Sequence, residues 1–201
     1  MKIEPTALKE WAAAAELLGE GESILLLRKG GIREETKRFE LRSSSFYFFP
    51  TYEHQKPRLF KEPYRPLVEK SLAEAHPGAD RITLFYWAEA ADDLEIRTEE
   101  ELEALYPYHI WTKEMAAERL RWKPREPLHA LLLRVYRLDQ PLEIPVHPEY
   151  GGCRSWIGLQ DTPEPGKSVP VLDEESFEAR RQEIRQCLIK LRDYNKMSDN
   201  H

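Results

Sequence analysis

Apolar positions recur along this chain with two different periods, and most elements can be placed from them. Leu8, Trp11, Ala15 and Leu18 fall at helical spacing, so Thr6 is expected to cap a helix that begins at Ala7, runs through the alanine stretch and stops at Gly19 and Gly21. Ser23–Arg28 is apolar at consecutive positions and reads as a strand in the middle of a sheet. Gly30-Gly31 supplies a turn, after which Arg38–Leu41 and Ser45–Phe49 read as two further strands of an N-terminal meander closed by Pro50. Thr51–Pro66 is a proline-punctuated loop, and Pro66 suits the first turn of a helix ending near His76.

The second half alternates more clearly. Arg81–Ala90 is strand-like, with Ile82, Leu84, Tyr86 and Ala88 on one face. Thr98-Glu99-Glu100-Glu101 reads as a capping box for a short helix, and Thr112 as the cap of another through Leu120. Leu128–Leu138 is the strongest later strand, and Pro141, Pro145 and Pro148 interrupt the segment beyond it. Phe177, Ile184, Leu188, Leu191 and Tyr194 make one stripe of a helix that starts after Asp173. The expected architecture is α+β, with a mainly antiparallel sheet and flanking helices. Residues 1–160 form the core domain, 161–172 a linker centred on Asp161–Lys167, and 173–201 a C-terminal helix packed on the core or extending from it.

Composition adds boundaries. A 41% hydrophobic and 33% charged chain of 201 residues folds around one good core or two small ones. Its longest apolar runs fall far short of a membrane span, so no membrane partner is expected. Two cysteines, Cys153 and Cys187, imply no disulfide framework and point to a reducing, cytoplasmic setting. The net charge of -6 excludes a protein that wraps nucleic acid through charge alone. The charge is uneven, however: basic residues outnumber acidic ones from Arg28 to Arg65, and the balance reverses from Glu89 to Glu103.

Three polar-aromatic clusters exceed what packing requires: Pro50–Gln55, Tyr108–Thr112 and Tyr150–Trp156, the last with Gly151-Gly152 beside Cys153. As a binding surface they offer Tyr52, Trp111, Tyr150 and Trp156 as flat faces, with Trp122 as a further ring. Lys29, Arg33 and Arg154 serve for phosphate or base edges, with Arg38 as a further cation. Arg33, His54, His109, Tyr150 and Trp156 are expected to line one cleft.

As chemistry, Cys153 could act as a nucleophile with His54 or His109 as base and Glu53 or Glu149 as orienter. A small buried cysteine beside a tight turn is the commoner arrangement. Glu53, His54, His109 and Cys153 are types that suit zinc, but their spacing implies no metal site, and nothing points to a particular cofactor. A metal-dependent nuclease is disfavoured: no aspartate precedes Asp80, and Glu95-Ile96-Arg97 places arginine where lysine is needed.

Lys29–Glu34, Phe49–Gln55, His109–Thr112, Leu131–Leu138 and Tyr150–Trp156, in that order, resemble the bacterial family named domain of unknown function 1802, over roughly Ala7 to Leu159. The resemblance implies no set activity. Some members are joined to a nuclease domain of the restriction-endonuclease type, which implies a link to DNA restriction or defence and a nuclease partner. Lys37–Arg42 is also similar to the Lys-x-x-Glu-x-Arg signature of ASCH domains, with Glu35 where that signature has glycine. That likeness implies a small barrel of the PUA/ASCH type that recognises RNA or modified bases, and DNA or RNA is the expected partner. A non-catalytic adaptor working through the C-terminal helix is the third reading, and it requires the apolar stripe of that helix to be exposed.

Overall fold

The computed structural model describes residues 5–29, 43–76, 78–152, 154–160, 162 and 166–198. These residues form strands β1 (Thr6–Trp11), β2 (Leu25–Arg28), β3 (Ser45–Thr51), β4 (Arg81–Ile96), β5 (Leu128–Pro145), β6 (Trp156–Gly158) and β7 (Ser168–Pro170). The helices are α1 (Ala12–Gly19), α2 (Arg65–Ala73), α3 (Glu99–Ala104), α4 (Lys113–Arg121) and α5 (Glu174–Ser198). The strands make one sheet in the order β2-β5-β4-β3-β1-β6, with β7 also against β5. Every pairing is antiparallel except β1 with β3. The protein is therefore α+β with a mostly antiparallel sheet and flanking helices.

The sheet curls. Leu8, Leu26, Phe46, Ala88, Leu131 and Trp156 come from six different strands yet pack in one cluster, which a flat sheet would not allow. Among the described residues no ladder joins β2 to β1 or β6. Two features fill that seam: Ala15 and Leu18 of α1 join the inner cluster, and the Arg28 side chain reaches across to β1. The outer face of β2 and β5 carries a second cluster, in which Leu25, Leu27, Ala130 and Leu132 meet the helices and Trp111. A third gathers Ala7, Phe49, Tyr150 and Ile157.

Several local expectations change once tertiary partners are in place. Thr6–Trp11 is a strand, not a helix start: Ala7 and Leu8 are both fully buried in different clusters, which a one-striped helix could not achieve. The helix begins at Ala12 and ends as expected at Gly19, with Gly21 next but one at φ 75°. β2 is not central. It pairs with β5 alone among the described residues, and its two apolar faces are covered by the helices and by the curl of the sheet. Among the described residues no meander forms, since β3 lies parallel to β1 and away from β2; Arg38–Leu41 lies outside the described residues. Pro50 sits inside β3 because β4 stops pairing at Tyr47 and leaves that edge open.

β4 and β5 are longer than their alternation predicts. Pro141 is accommodated within β5 in the irregular stretch between Arg137 and Leu142, and Pro145 closes the strand opposite Arg81. Thr98 and Thr112 cap α3 and α4 by accepting from the Glu101 and Met115 N–H groups, both at 3.2 Å. The return bond of the box is displaced by one residue, because the Glu101 carboxylate accepts from the Arg97 N–H. In α5, Phe177, Ile184 and Leu188 are buried in the helical cluster, whereas Tyr194 is 69% exposed and falls outside the stripe. That burial removes the exposed stripe an adaptor helix would need. Within residues 161–172, Ser168–Pro170 is not linker but strand, since β7 pairs with Tyr136–Leu138 of β5. No helix among the described residues is long and apolar enough to cross a membrane.

Candidate functional site

The last three residues of β1 each hold one or two of the clusters singled out by sequence. Lys9 Nζ donates to the carbonyls of Tyr150 (2.8 Å) and Gly152 (2.9 Å). The Glu10 carbonyl accepts from Thr51 Oγ1 at 3.1 Å. Trp11 Nε1 donates to the Glu53 carbonyl at 2.9 Å, and its ring stands edge-on to Trp111 with centroids 5.5 Å apart. The three loops thus converge on one strand end, two of them through their backbones.

Their aromatic rings do not converge. Trp111 is 0%, Tyr150 2% and Trp156 7% exposed, and each belongs to a different core cluster. Trp111 packs on Phe60, Tyr150 on Phe49 and Trp156 on Phe46, so their faces are taken up by packing. The expected common cleft is therefore corrected: these rings support the site from behind and do not line it. Arg33 and Cys153 lie outside the described residues.

What stands at the strand ends is a polar layer across the mouth of the curled sheet. Successive inward positions run Leu8 then Glu10 on β1, Leu26 then Arg28 on β2, and Leu131 then His129 on β5. Each pair is two residues apart, so the inner face passes from apolar to polar within one strand repeat. Glu10 is only 3% exposed and accepts from Arg28 Nη1 at 2.8 Å; the same nitrogen donates to the Lys9 carbonyl at 3.3 Å. His129 is the register partner of both Arg28 on β2 and Glu95 on β4, and its Nδ1 lies 2.7 Å from Asp93 Oδ1.

Arg119 of α4 approaches from the helical side. It donates to the Leu27 carbonyl at 2.6 Å, and its guanidinium lies 4.8 Å from the Trp111 ring centre and 5.6 Å from that of Trp11. Burial pulls its pKa down to about 10; Glu10 opposes that shift and Arg28 adds to it. The buried Glu10 carboxylate therefore pairs with one guanidinium and acts electrostatically on a second, which lies beside an indole. This arrangement presents donors for an anionic or hydrogen-bond-accepting group and a half-buried flat ring next to them.

The remaining sequence candidates have separate fates. Lys29 is buried and donates to the Leu120 carbonyl, so it closes the end of α4, and burial lowers its pKa. Tyr52 is half-buried near Glu16 and Glu74, and burial raises its hydroxyl pKa first, with those carboxylates adding to the shift. His54 is exposed with φ 64°, and Glu53 and Arg154 are exposed beside their turns. His109 is buried with Nδ1 accepting from the Trp111 N–H at 3.2 Å; burial, then Lys61, lowers its pKa to about 3. A ring that stays neutral to such low pH is a weak proton acceptor, which counts against it as a catalytic base. Among the described residues, no group of three or more His, Cys, Asp or Glu could hold a metal ion.

Sequence reading misses Lys9, Glu10, Arg28, Asp93, Arg119 and His129. The signal is present as a polar residue two positions beyond a core residue at the end of a strand. It is obscured because Lys9 and Glu10 also suit a helix.

No curated protein matches the sequence. In three dimensions the chain is similar to the ASCH protein of Zymomonas mobilis (11% identity, 80% of this chain and 90% of that chain, TM-score 0.44). It is likewise similar to a serine-to-alanine variant of that protein (10% identity, 79% and 90%, TM-score 0.45). The sequence model described as "Domain of unknown function (DUF1802)" matches residues 7–183, past Leu159 and into α5, farther than the loop motifs alone imply. The polar mouth and the loops around it lie within that span, and the protein belongs to the DUF1802 family.

Proposed function

We propose that the protein is a nucleic-acid-linked recognition domain, associated with DNA restriction or defence, that meets its ligand at the polar mouth of the curled sheet. The observation that carries this reading is that Arg28 and Arg119 lie beside Glu10, with Trp11 against Arg119, at the strand end on which all three loop clusters converge. Guanidinium groups suit phosphate oxygens and base edges, and an indole beside them suits a stacked base. The chain as a whole is acidic, so such contacts act locally and not through a broad positive field. Recognition here and cleavage by a nuclease partner would divide the work in the way the family resemblance implies.

The test is binding of labelled single-stranded, double-stranded and modified DNA, and of RNA, across a salt series. Two or three phosphates held at the mouth give a log–log salt slope of about -1.4 to -2.1 for a single strand. Arg28→Gln and Trp11→Leu are expected to weaken binding several-fold, the former with a shallower slope. Absence of binding to every probe, or binding indifferent to both substitutions, would remove the reading.

A further inference from the structure

His129 stands in the mouth beside Arg28, yet the recognition described above makes no use of it. Four elements bear on its charge. Asp93 and Glu95 face it from β4, Arg28 is its register partner on β2, and beyond Arg28 stand Glu10 of β1 and Arg119 of α4. Asp93 fixes one ring nitrogen at 2.7 Å, so the ring is held in place in either protonation state. Its side chain is 12% exposed, which leaves it at the boundary between the apolar interior and the mouth.

Arg28 is already matched by Glu10, and the arginine nitrogen that meets the carboxylate is also held by the Lys9 carbonyl. An added phosphate would therefore meet a layer in which Arg28 is already paired and in which the carboxylates of Glu10, Asp93 and Glu95 stand beside two guanidiniums. The imidazole is the group in this layer whose charge ordinarily changes between pH 5 and 8.

We infer that His129 is a proton-dependent cationic contact of the mouth, so that a phosphate-bearing ligand binds more tightly once the imidazole is protonated. This rests on the nucleic-acid reading of the same site. The coupling is reciprocal: a ligand that prefers the protonated ring must itself promote protonation of the ring. Asp93 is then a positioning residue that fixes the ring beside Arg28.

The experiment uses labelled oligothymidylate and oligouridylate, whose bases and phosphodiesters do not titrate in the working range, with the full chain at fixed ionic strength between pH 5.5 and 8. Affinity for the better of the two is expected to rise about tenfold as pH falls, the ratio equivalent to a one-unit shift of the imidazole pKa on binding. His129→Gln should flatten the profile at the weak level. Asp93→Asn, which removes the carboxylate that fixes the ring, should change the size of the rise, which keeps the idea testable should the glutamine variant not fold. If neither probe binds at any pH, the recognition reading falls and this inference with it. If a probe binds with no pH dependence, or with the same dependence in both variants, the inference falls and the recognition reading stands.

Discussion

The side-chain amide of Gln55 caps a helix 42 positions upstream: its Oε1 accepts the buried Ala13 N–H of α1 at 3.0 Å, while its Nε2 donates to Ser71 of α2 at 3.3 Å. One residue of an irregular loop thus fixes two helices to each other. Replacing Gln55 with Leu leaves a buried N–H and a buried hydroxyl without this partner, at a cost of about 1–3 kcal/mol for the group left unpaired. A lower urea midpoint with an unchanged slope is the expected result, and an unchanged midpoint would show that water replaces the amide.

Glu10 is a buried carboxylate paired with Arg28 and within electrostatic reach of Arg119, so removing its charge leaves a largely buried guanidinium unmatched. Glu10→Gln is expected to cost roughly 3–5 kcal/mol, the usual penalty for breaking a buried pair from one side. Adding Arg28→Met should restore part of the loss but not all, because the nearby negative charge that favours the buried Arg119 guanidinium is still missing. Thermal melts of the two singles and the double test this, and strict additivity would mean that the pair is not coupled.

His109 makes acid stability sensitive to one ring. Its ordinary pKa of 6.5 applies when the chain is unfolded, and burial lowers it to about 3 in the fold. Between those values the unfolded chain holds a proton that the folded chain does not, so stability is complete above the upper value and falls as pH drops through it. The slope from this group approaches about 1.4 kcal/mol per pH unit. Denaturation of His109→Gln beside the parent at pH 7 and pH 5 should show a smaller acid loss in the variant; equal losses would exclude His109 as the source.

Gly19 is required by a neighbour. A Cβ there would stand 2.3 Å from the ring carbon Cζ of Tyr86, on the strand that α1 packs against. Gly19→Ala should therefore destabilise by about 1–3 kcal/mol as an overpacking change. Tyr86→Leu in the same chain should recover much of it. Failure of that rescue in a chemical-denaturation series would point to the backbone, not the ring.

Much of the fold is legible in the sequence because local and tertiary preferences agree. Thr98, Thr112 and Pro66 mark helix starts by chemistry that operates within one turn, and Phe177, Ile184 and Leu188 keep helical spacing against a single surface. Thr6–Trp11 fails for the opposite reason. Its residues suit either period, and only pairing with Phe48 and Trp156, far away in sequence, decides for a strand. The site obeys the same rule. The loop clusters are visible as composition and do gather at one place, but Glu10, Arg28 and His129 become a layer only through strand register, which no short window contains.

The helical cluster around Trp111 takes Phe177, Ile184 and Leu188 from α5, so its closure waits on residues synthesised after every strand. While the chain is still emerging from the ribosome, the sheet can pair but its helical side stays uncovered until Leu188 clears the exit tunnel. A fragment cut at the end of the strands would carry that exposed surface permanently, and is expected to be a substrate for chaperones and proteases more than a smaller version of the same domain.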